Sequence, residues 1–262
     1  STPAIGASGD VAFFYTLNNN AQGVARLSGG RVEYRPLRSI GGLLAGHSQG
    51  GLVYWADGER GWGLYRWNGS GPSTALLLSG RLAPNDEPLQ QVYSVAVNSR
   101  GEVFVQLRTS QTDLLVARLG AAQPVLFQSG ARLNLTAGLQ LQNGSLVRGN
   151  GSGAPYVLLG SPSSIFQFDS RGLVPRLVNG DRLPDGATFY GVGSRFENAA
   201  GDLYFDSLGN SNRVLSADRL DNLVLGNFRA DDGVLVNRGL VLALNDRGGM
   251  VWQAGTDRSH NR

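Results

Sequence analysis

Apolar residues in this chain alternate with polar ones or gather in short runs bounded by Gly, Asn, Pro or Asp, and no stretch sustains a 3.6-residue period. That pattern predicts many short β-strands and almost no helix. One arrangement recurs, a turn closing on Gly followed by an alternating strand. It reads Ala7-Ser8-Gly9-Asp10-Val11-Ala12-Phe13-Phe14 near the start and His47-Ser48-Gln49-Gly50-Gly51-Leu52-Val53-Tyr54-Trp55 next. The clearest copies are Asn98-Ser99-Arg100-Gly101-Glu102-Val103-Phe104-Val105, Asn198-Ala199-Ala200-Gly201-Asp202-Leu203-Tyr204-Phe205 and Asn245-Asp246-Arg247-Gly248-Gly249-Met250-Val251-Trp252. A shortened copy is Gln142-Asn143-Gly144-Ser145-Leu146-Val147. Asn or its substitute starts the turn, Gly supplies a positive φ, and the aromatic or β-branched run fits a pleated, half-buried strand.

The turn glycines at 9, 50, 101, 144, 201 and 248 stand 41 to 57 residues apart, the period of a four-stranded propeller blade with variable loops. A second element closes each unit: Leu78-Ser79-Gly80-Arg81-Leu82-Ala83-Pro84-Asn85-Asp86, Phe127-Gln128-Ser129-Gly130-Ala131-Arg132-Leu133 and Val178-Asn179-Gly180-Asp181-Arg182-Leu183-Pro184-Asp185-Gly186, with looser versions at 38–42 and 226–233. Segment 149–165, rich in Gly, Ser and Pro, reads as an elongated hairpin inside the fourth unit, because the repeat continues on both sides of it. The expected fold is one all-β domain over 1–262, a β-propeller of four-stranded antiparallel blades. About six blade positions are expected, near 1–40, 41–88, 89–133, 134–186, 187–232 and 233–262, the last incomplete. Six corners meet only five closing loops, and the last unit carries just two strands, near 234–243 and 249–255.

The unit Asn198-Ala199-Ala200-Gly201-Asp202-Leu203-Tyr204-Phe205, continuing to Asn212-Arg213-Val214-Leu215, resembles the NHL type of propeller repeat and the similar blades of secreted bacterial propeller proteins. The resemblance covers almost the whole chain through short, degenerate motifs. It implies the fold and no particular activity, because propellers host hydrolases, lyases, lectin-like binders and scaffolds alike.

Composition narrows the partners. Net charge is +3 with a pI near 9.5, yet every one of the 23 cations is Arg and they are scattered, so the basic footprint of a nucleic-acid surface is missing. Nucleic acid is not the expected partner. With no Cys, disulfides, thiolate metal sites and Cys nucleophiles are excluded. No apolar stretch approaches the roughly 18 residues of a membrane span, and Ser1-Thr2-Pro3-Ala4 has neither part of a signal peptide, so any targeting signal is expected to lie outside this sequence. The expected location is extracellular or periplasmic.

No coherent catalytic cluster, metal-ligand set or cofactor motif emerges, so no catalytic residue, metal or cofactor is assigned. His47 falls in a corner and His260 in the C-terminal tail, neither near a recognisable partner. Asp10, Glu102 and Asp202 each follow a corner Gly. They either form a ring of cation ligands or cap their own turns, and the turns stand too far apart around a disc to share one ion. Arg81, Arg132, Arg182 and Arg229 follow the Gly of the closing loops, accompanied by Asp86, Asp181, Asp185, Asp231 and Asp232. These arginines are the candidate ligand-binding set, able to grip a carboxylate or phosphate from one face near the channel, unless local pairs such as Arg182 with Asp185 consume them. Trp55 and Trp252 fall at matching positions after a corner Gly, which argues for packing between blades. Trp62, in the loop Asp57-Gly58-Glu59-Arg60-Gly61, is the aromatic expected to be exposed, able to stack on a sugar or anchor a partner unless it packs structurally at an edge.

The expectation is a non-catalytic binding or scaffold module that uses one face of the disc for a protein or glycan partner. Two alternatives stand beside it: a hydrolase or lyase working at the central channel, and an assembly subunit whose open blade edge is completed by strand addition.

Overall fold

The computed structural model describes residues 4–5, 10–46, 51–69, 71–98, 100–128, 144–146, 155–160, 163–169, 172–197, 201–207, 211–215, 220–223, 228–229, 235–244 and 250–256. Their strands form five four-stranded sheets and one three-stranded sheet, every pair antiparallel, and the described residues include no helix. The first sheet is β1 (Ala4–Ile5), β2 (Val11–Thr16), β3 (Gln22–Ser28) and β4 (Arg31–Leu37). The second is β5 (Ser39–Gly46), β6 (Leu52–Gly58), β7 (Gly61–Trp67) and β8 (Thr74–Leu78), and the third is β9 (Leu89–Val97), β10 (Val103–Thr109), β11 (Leu115–Leu119) and β12 (Val125–Gln128). The fourth is β13 (Gly144–Leu146), β14 (Tyr156–Leu159), β15 (Ser164–Asp169) and β16 (Gly172–Leu177). The fifth is β17 (Val192–Glu197), β18 (Leu203–Ser207), β19 (Ser211–Leu215) and β20 (Leu220–Leu223), and β21 (Phe228–Arg229), β22 (Leu235–Leu244) and β23 (Met250–Thr256) make the sixth. Each sheet is a meander in chain order, and the first strands lie against one another, β5 on β1 and β9, and β13 on β9. This is a β-propeller whose sixth blade position is incomplete among the described residues.

The sheets stack because their middle strands are buried on both faces. In β10, Val103, Val105 and Leu107 share a core with Val53, Leu64 and Leu77 of the second sheet, whereas Phe104 packs with Val157 and Phe166 of the fourth. In β6, Leu52, Tyr54 and Ala56 face Ala12 and Val24 of the first sheet, and Val53 faces the third. Tyr156, Leu158 and Ile165 meet Leu203, Phe205 and Leu215 across the junction of the fourth and fifth sheets. Each large side chain so buried stabilises the stack by about 2 kcal/mol. Burial on both faces also fixes register, since a slip of one residue would exchange the two cores of a strand.

The closing loops are tight hairpins. Gly80 N–H donates to the Leu89 carbonyl, Leu89 N–H to Arg81, Ala83 N–H to Glu87 and Asp86 N–H to Ala83, at 2.8–3.0 Å. The same bonds recur between Gly180 and Phe189, Phe189 and Asp181, Leu183 and Ala187, and Gly186 and Leu183, at 2.8–2.9 Å. Bridges Leu82 to Pro88 and Arg182 to Thr188 cross the two hairpins, and the pairs Phe228 with Val236 and Arg229 with Leu235 do so ahead of β22. By this equivalence β21 is a hairpin arm, which leaves β22 and β23 as the two blade strands of the sixth sheet. Among the described strands β23 has one hydrogen-bonded neighbour.

Three sequence expectations need correction. The corner at Gly144 does not open a second strand; Gly144–Leu146 is itself the first strand of its sheet, paired with Val157–Leu159. Its apolar run is too short for a middle place, which goes to the fully buried Tyr156–Leu159. Trp55 and Trp252 do not match: Leu52 pairs with Gly46 and Met250 with Leu244, so Tyr54 is the counterpart of Trp252. One residue of offset turns a strand side chain to the opposite face. Third, Trp62 does not lie in a loop. The hairpin tightens to a two-residue turn at Glu59 and Arg60, with Gly58 paired to Gly61, and Trp62 belongs to β7.

The β5–β6 pairing shifts register between Ile40 and Leu44, and there the Trp55 indole lies on Gly41, where a Cβ would collide with it. Gly41→Ala should cost about 2 kcal/mol, read as a lower urea midpoint at unchanged slope.

Candidate ligand-binding face

Antiparallel meanders put the two kinds of connection at opposite ends of the sheets. Corners between first and second strands lie at one end; closing hairpins and the turns between second and third strands lie at the other.

Among the described residues of the corner end, Asp10 and Glu102 are paired locally. Gly101 and Gly201 have φ of 77° and 87°, the left-handed conformation the turn requires. Asn98 Oδ1 accepts the N–H groups of Arg100 and Glu102 at 3.1 and 3.0 Å, so Asn98 caps the turn. The Glu102 carboxylate instead accepts from Asn98 Nδ2 at 2.6 Å, Arg100 at 3.0 Å and Arg118 at 3.2 Å. The Asn98 hydrogen bond and the two guanidinium groups hold Glu102 below the usual carboxylate range. Asp10 pairs with Arg26 at 3.0 Å in the same way. Arg26, Arg66 and Arg118 occupy one register, opposite Ala12, Val53 and Phe104. In the second sheet Gly51 stands where the acid would be, and Arg66 donates to the Gly101 carbonyl of the next corner at 3.0 Å. Tyr156 does likewise to the Gly201 carbonyl at 3.1 Å.

At the closing-hairpin end the two equivalent hairpins diverge in side chains. Glu87 accepts hydrogen bonds from Thr109 Oγ1, from Thr112 Oγ1 at 3.1 Å and from the Gln111 N–H at 3.3 Å, clamping the first hairpin to the β10–β11 turn. The Thr109 hydrogen bond is foremost in holding Glu87 below the usual carboxylate range. In the second hairpin Asp185, at the position of Asn85, accepts from Arg213 at 2.9 Å. The Arg213 side chain is 1% exposed and its partner 35%, which makes this a largely buried ion pair between β19 and the hairpin.

Arg81 and Arg182 sit one residue out of register: the main-chain equivalent of Arg81 is Asp181. Arg182 is tied to its own hairpin, donating to the Gly186 carbonyl at 2.8 Å, while Asp185, its expected partner, takes Arg213. The exposed Arg81 guanidinium makes no hydrogen bond or ion pair among the described residues. Arg229 lies in a hairpin arm, on β21. Arg132, His47 and His260 lie outside the described residues, as do Asp231 and Asp232.

Trp62 is 40% exposed and lies opposite Asp57, as Leu64 lies opposite Trp55. Directly opposed residues share a face, so all four side chains are on the side of the second sheet that meets the third. Trp55 and Trp62 rings are 6.2 Å apart at 32°. Ala83 joins the core of that same junction, which seats the hairpin carrying Arg81 and the 64%-exposed Leu82 beside Trp62. Sequence reasoning missed two residues here. Asp57 reads as a turn residue because Gly follows it, and Arg213 reads as one more scattered arginine.

One further acid is set apart. Asp206 on β18 lies half-buried against Gly193 of the first strand, and burial alone pushes its carboxyl above the usual range.

No family model matches the chain, and no curated protein matches it. Solved structures that it is similar to include XC5397, a gluconolactonase from Xanthomonas campestris, at 17% identity and TM-score 0.46, covering 97% of this chain and 84% of that one. YCF48 bound to D1 peptide gives 11% identity and TM-score 0.48, covering 97% and 75%. The Aleuria aurantia lectin in complex with alpha-methyl-L-fucoside gives 10% identity and TM-score 0.41, covering 85% and 76%. The propeller assignment rests on the sheets themselves.

Asp185→Ala should cost about 3 kcal/mol in urea unfolding, because it strips a partner from a buried guanidinium. Glu87→Gln tests the hairpin clamp. A carboxylate with a depressed folded-state pKa adds stability above its unfolded value, about 4.3, and loses it as pH falls through the folded value. The variant should therefore unfold at lower urea than the parent at pH 7, and the gap should close as the pH falls below about 4.

Proposed function

We propose that the chain is a non-catalytic binding module that receives a protein or glycan ligand on its closing-hairpin face, at the junction of the second and third sheets. One observation carries this reading. The exposed Arg81 guanidinium has no partner among the described residues and its hairpin is seated beside Trp62, whereas Arg182 in the equivalent hairpin is spent on its own turn. An exposed aromatic flanked by an uncommitted guanidinium on a rigid hairpin is the composition of a binding hot spot.

The hydrolase or lyase reading draws on Asp206, whose raised pKa suits a proton donor. Asp206 has no hydrogen bond to another described side chain, so no acid–base pair supports that reading. Assembly by strand addition is supported by the single neighbour of β23 among the described strands.

Arrays of glycans and peptides probed with the protein and with a Trp62→Ala/Arg81→Ala double variant decide the matter. The expected result is at least one ligand whose binding falls tenfold or more in the variant; ligands bound equally by both proteins would move the site elsewhere.

A further inference from the structure

Resting on that reading of the face, we infer that its ligand is a saccharide, held by Trp62, Asp57 and Arg81. Trp62 supplies the platform. Its ring is exposed yet fixed, because Trp55 packs against it and its carbonyl accepts the Ser79 N–H at 2.9 Å. A pyranose presents an apolar C–H face to such a ring, and an aromatic already held in place loses little freedom on binding.

Asp57 and Arg81 supply the polar part. Asp57 is half-buried on the same side of the sheet as Trp62, and its carboxylate makes no hydrogen bond or ion pair among the described residues. A carboxylate accepts from two neighbouring hydroxyls, and a planar guanidinium donates to two neighbouring oxygens, so together they match the vicinal diols of a sugar. Of the other charges nearby, Glu59 is paired with Arg35, Glu87 is held by Thr109 and Thr112, and Asp86 sits at the turn of the hairpin, while Arg38, whose N–H donates to the Asp57 carbonyl, and Arg60, in the turn before Trp62, add two further exposed guanidinium groups.

The hairpin backbone argues against a peptide. Strand-like recognition of a peptide needs a run of free main-chain donors, whereas the N–H groups of Gly80, Arg81, Ala83, Asp86 and Leu89 donate within the hairpin or to β8, which leaves those of Leu82, Asn85 and Glu87. Pro84 and Pro88 have none to give. With so few main-chain donors left, recognition at this junction runs chiefly through side chains, among them an indole, a carboxylate and a guanidinium.

Isothermal titration with cellotriose, galactotriose and trigalacturonate, alongside a panel of acidic peptides, tests the inference, and the array adds other saccharides. Saturable binding of one saccharide should weaken at least tenfold in Trp62→Ala, in Asp57→Asn and in Arg81→Gln, and survive in Trp62→Phe, which keeps a ring. Preference for trigalacturonate would assign Arg81 to a sugar carboxylate, and preference for a neutral trimer would assign it to hydroxyls. If only peptides bind and their binding depends on Trp62 and Arg81, the saccharide inference is wrong and the binding face stands. If no ligand of either kind depends on those two residues, both are wrong.

Discussion

Everything in this molecule depends on sheets being apolar on both sides. A middle strand such as β10 gives Val103, Val105 and Leu107 to one neighbour and Phe104 to the other, so no sheet can satisfy its side chains alone. Stacking sheet on sheet in chain order is the arrangement that buries both faces with short connections. The cost is that polar groups are driven to the two ends of the sheets, where the chain turns. Those ends are where function has room to develop.

The two ends are treated differently. At the corners, charges are settled locally: Asp10 with Arg26, Glu102 with Arg100 and Arg118, and Arg66 on a neighbouring carbonyl. An arginine at one register of three consecutive third strands does this, so the corner acids are spent on holding turns to sheets. At the other end the main chain of the closing hairpin is repeated bond for bond at Gly80–Leu89 and Gly180–Phe189, yet its side chains are not. One copy is sealed by Arg182 on Gly186 and by Asp185 on Arg213. The other is clamped by Glu87 and leaves Arg81, on the hairpin seated beside Trp62, without a side-chain partner among the described residues. A repeated scaffold with divergent decoration allows one junction to become a site while its equivalent stays structural.

The sheets were legible because their signals are local. Turn residues at Gly101 and Gly201, with the alternating runs Val103–Leu107 and Leu203–Phe205 after them, reveal strand, turn and period without reference to any distant residue. Gly144 misled for the converse reason. Its turn looks the same in sequence, but whether the strand after it takes an inner or a middle place depends on what else competes for burial, and Tyr156–Leu159 wins.

By itself the sequence determined the all-β class, the four-strand unit and the corners at Gly101 and Gly201, since period-2 alternation and turn chemistry are properties of neighbouring residues. It also singled out Trp62 and the closing-loop arginines. Only the tertiary structure decided which of these side chains are spent. Arg81 and Arg182 look alike in sequence, but a one-residue offset in a hairpin changes the neighbours each meets, and pairing is set by what lies within about 3 Å in space. The same offset made Tyr54, not Trp55, the counterpart of Trp252. Trp55 supports Trp62 at the junction where Asp57 and Arg81 have no hydrogen bond or ion pair through their side chains among the described residues.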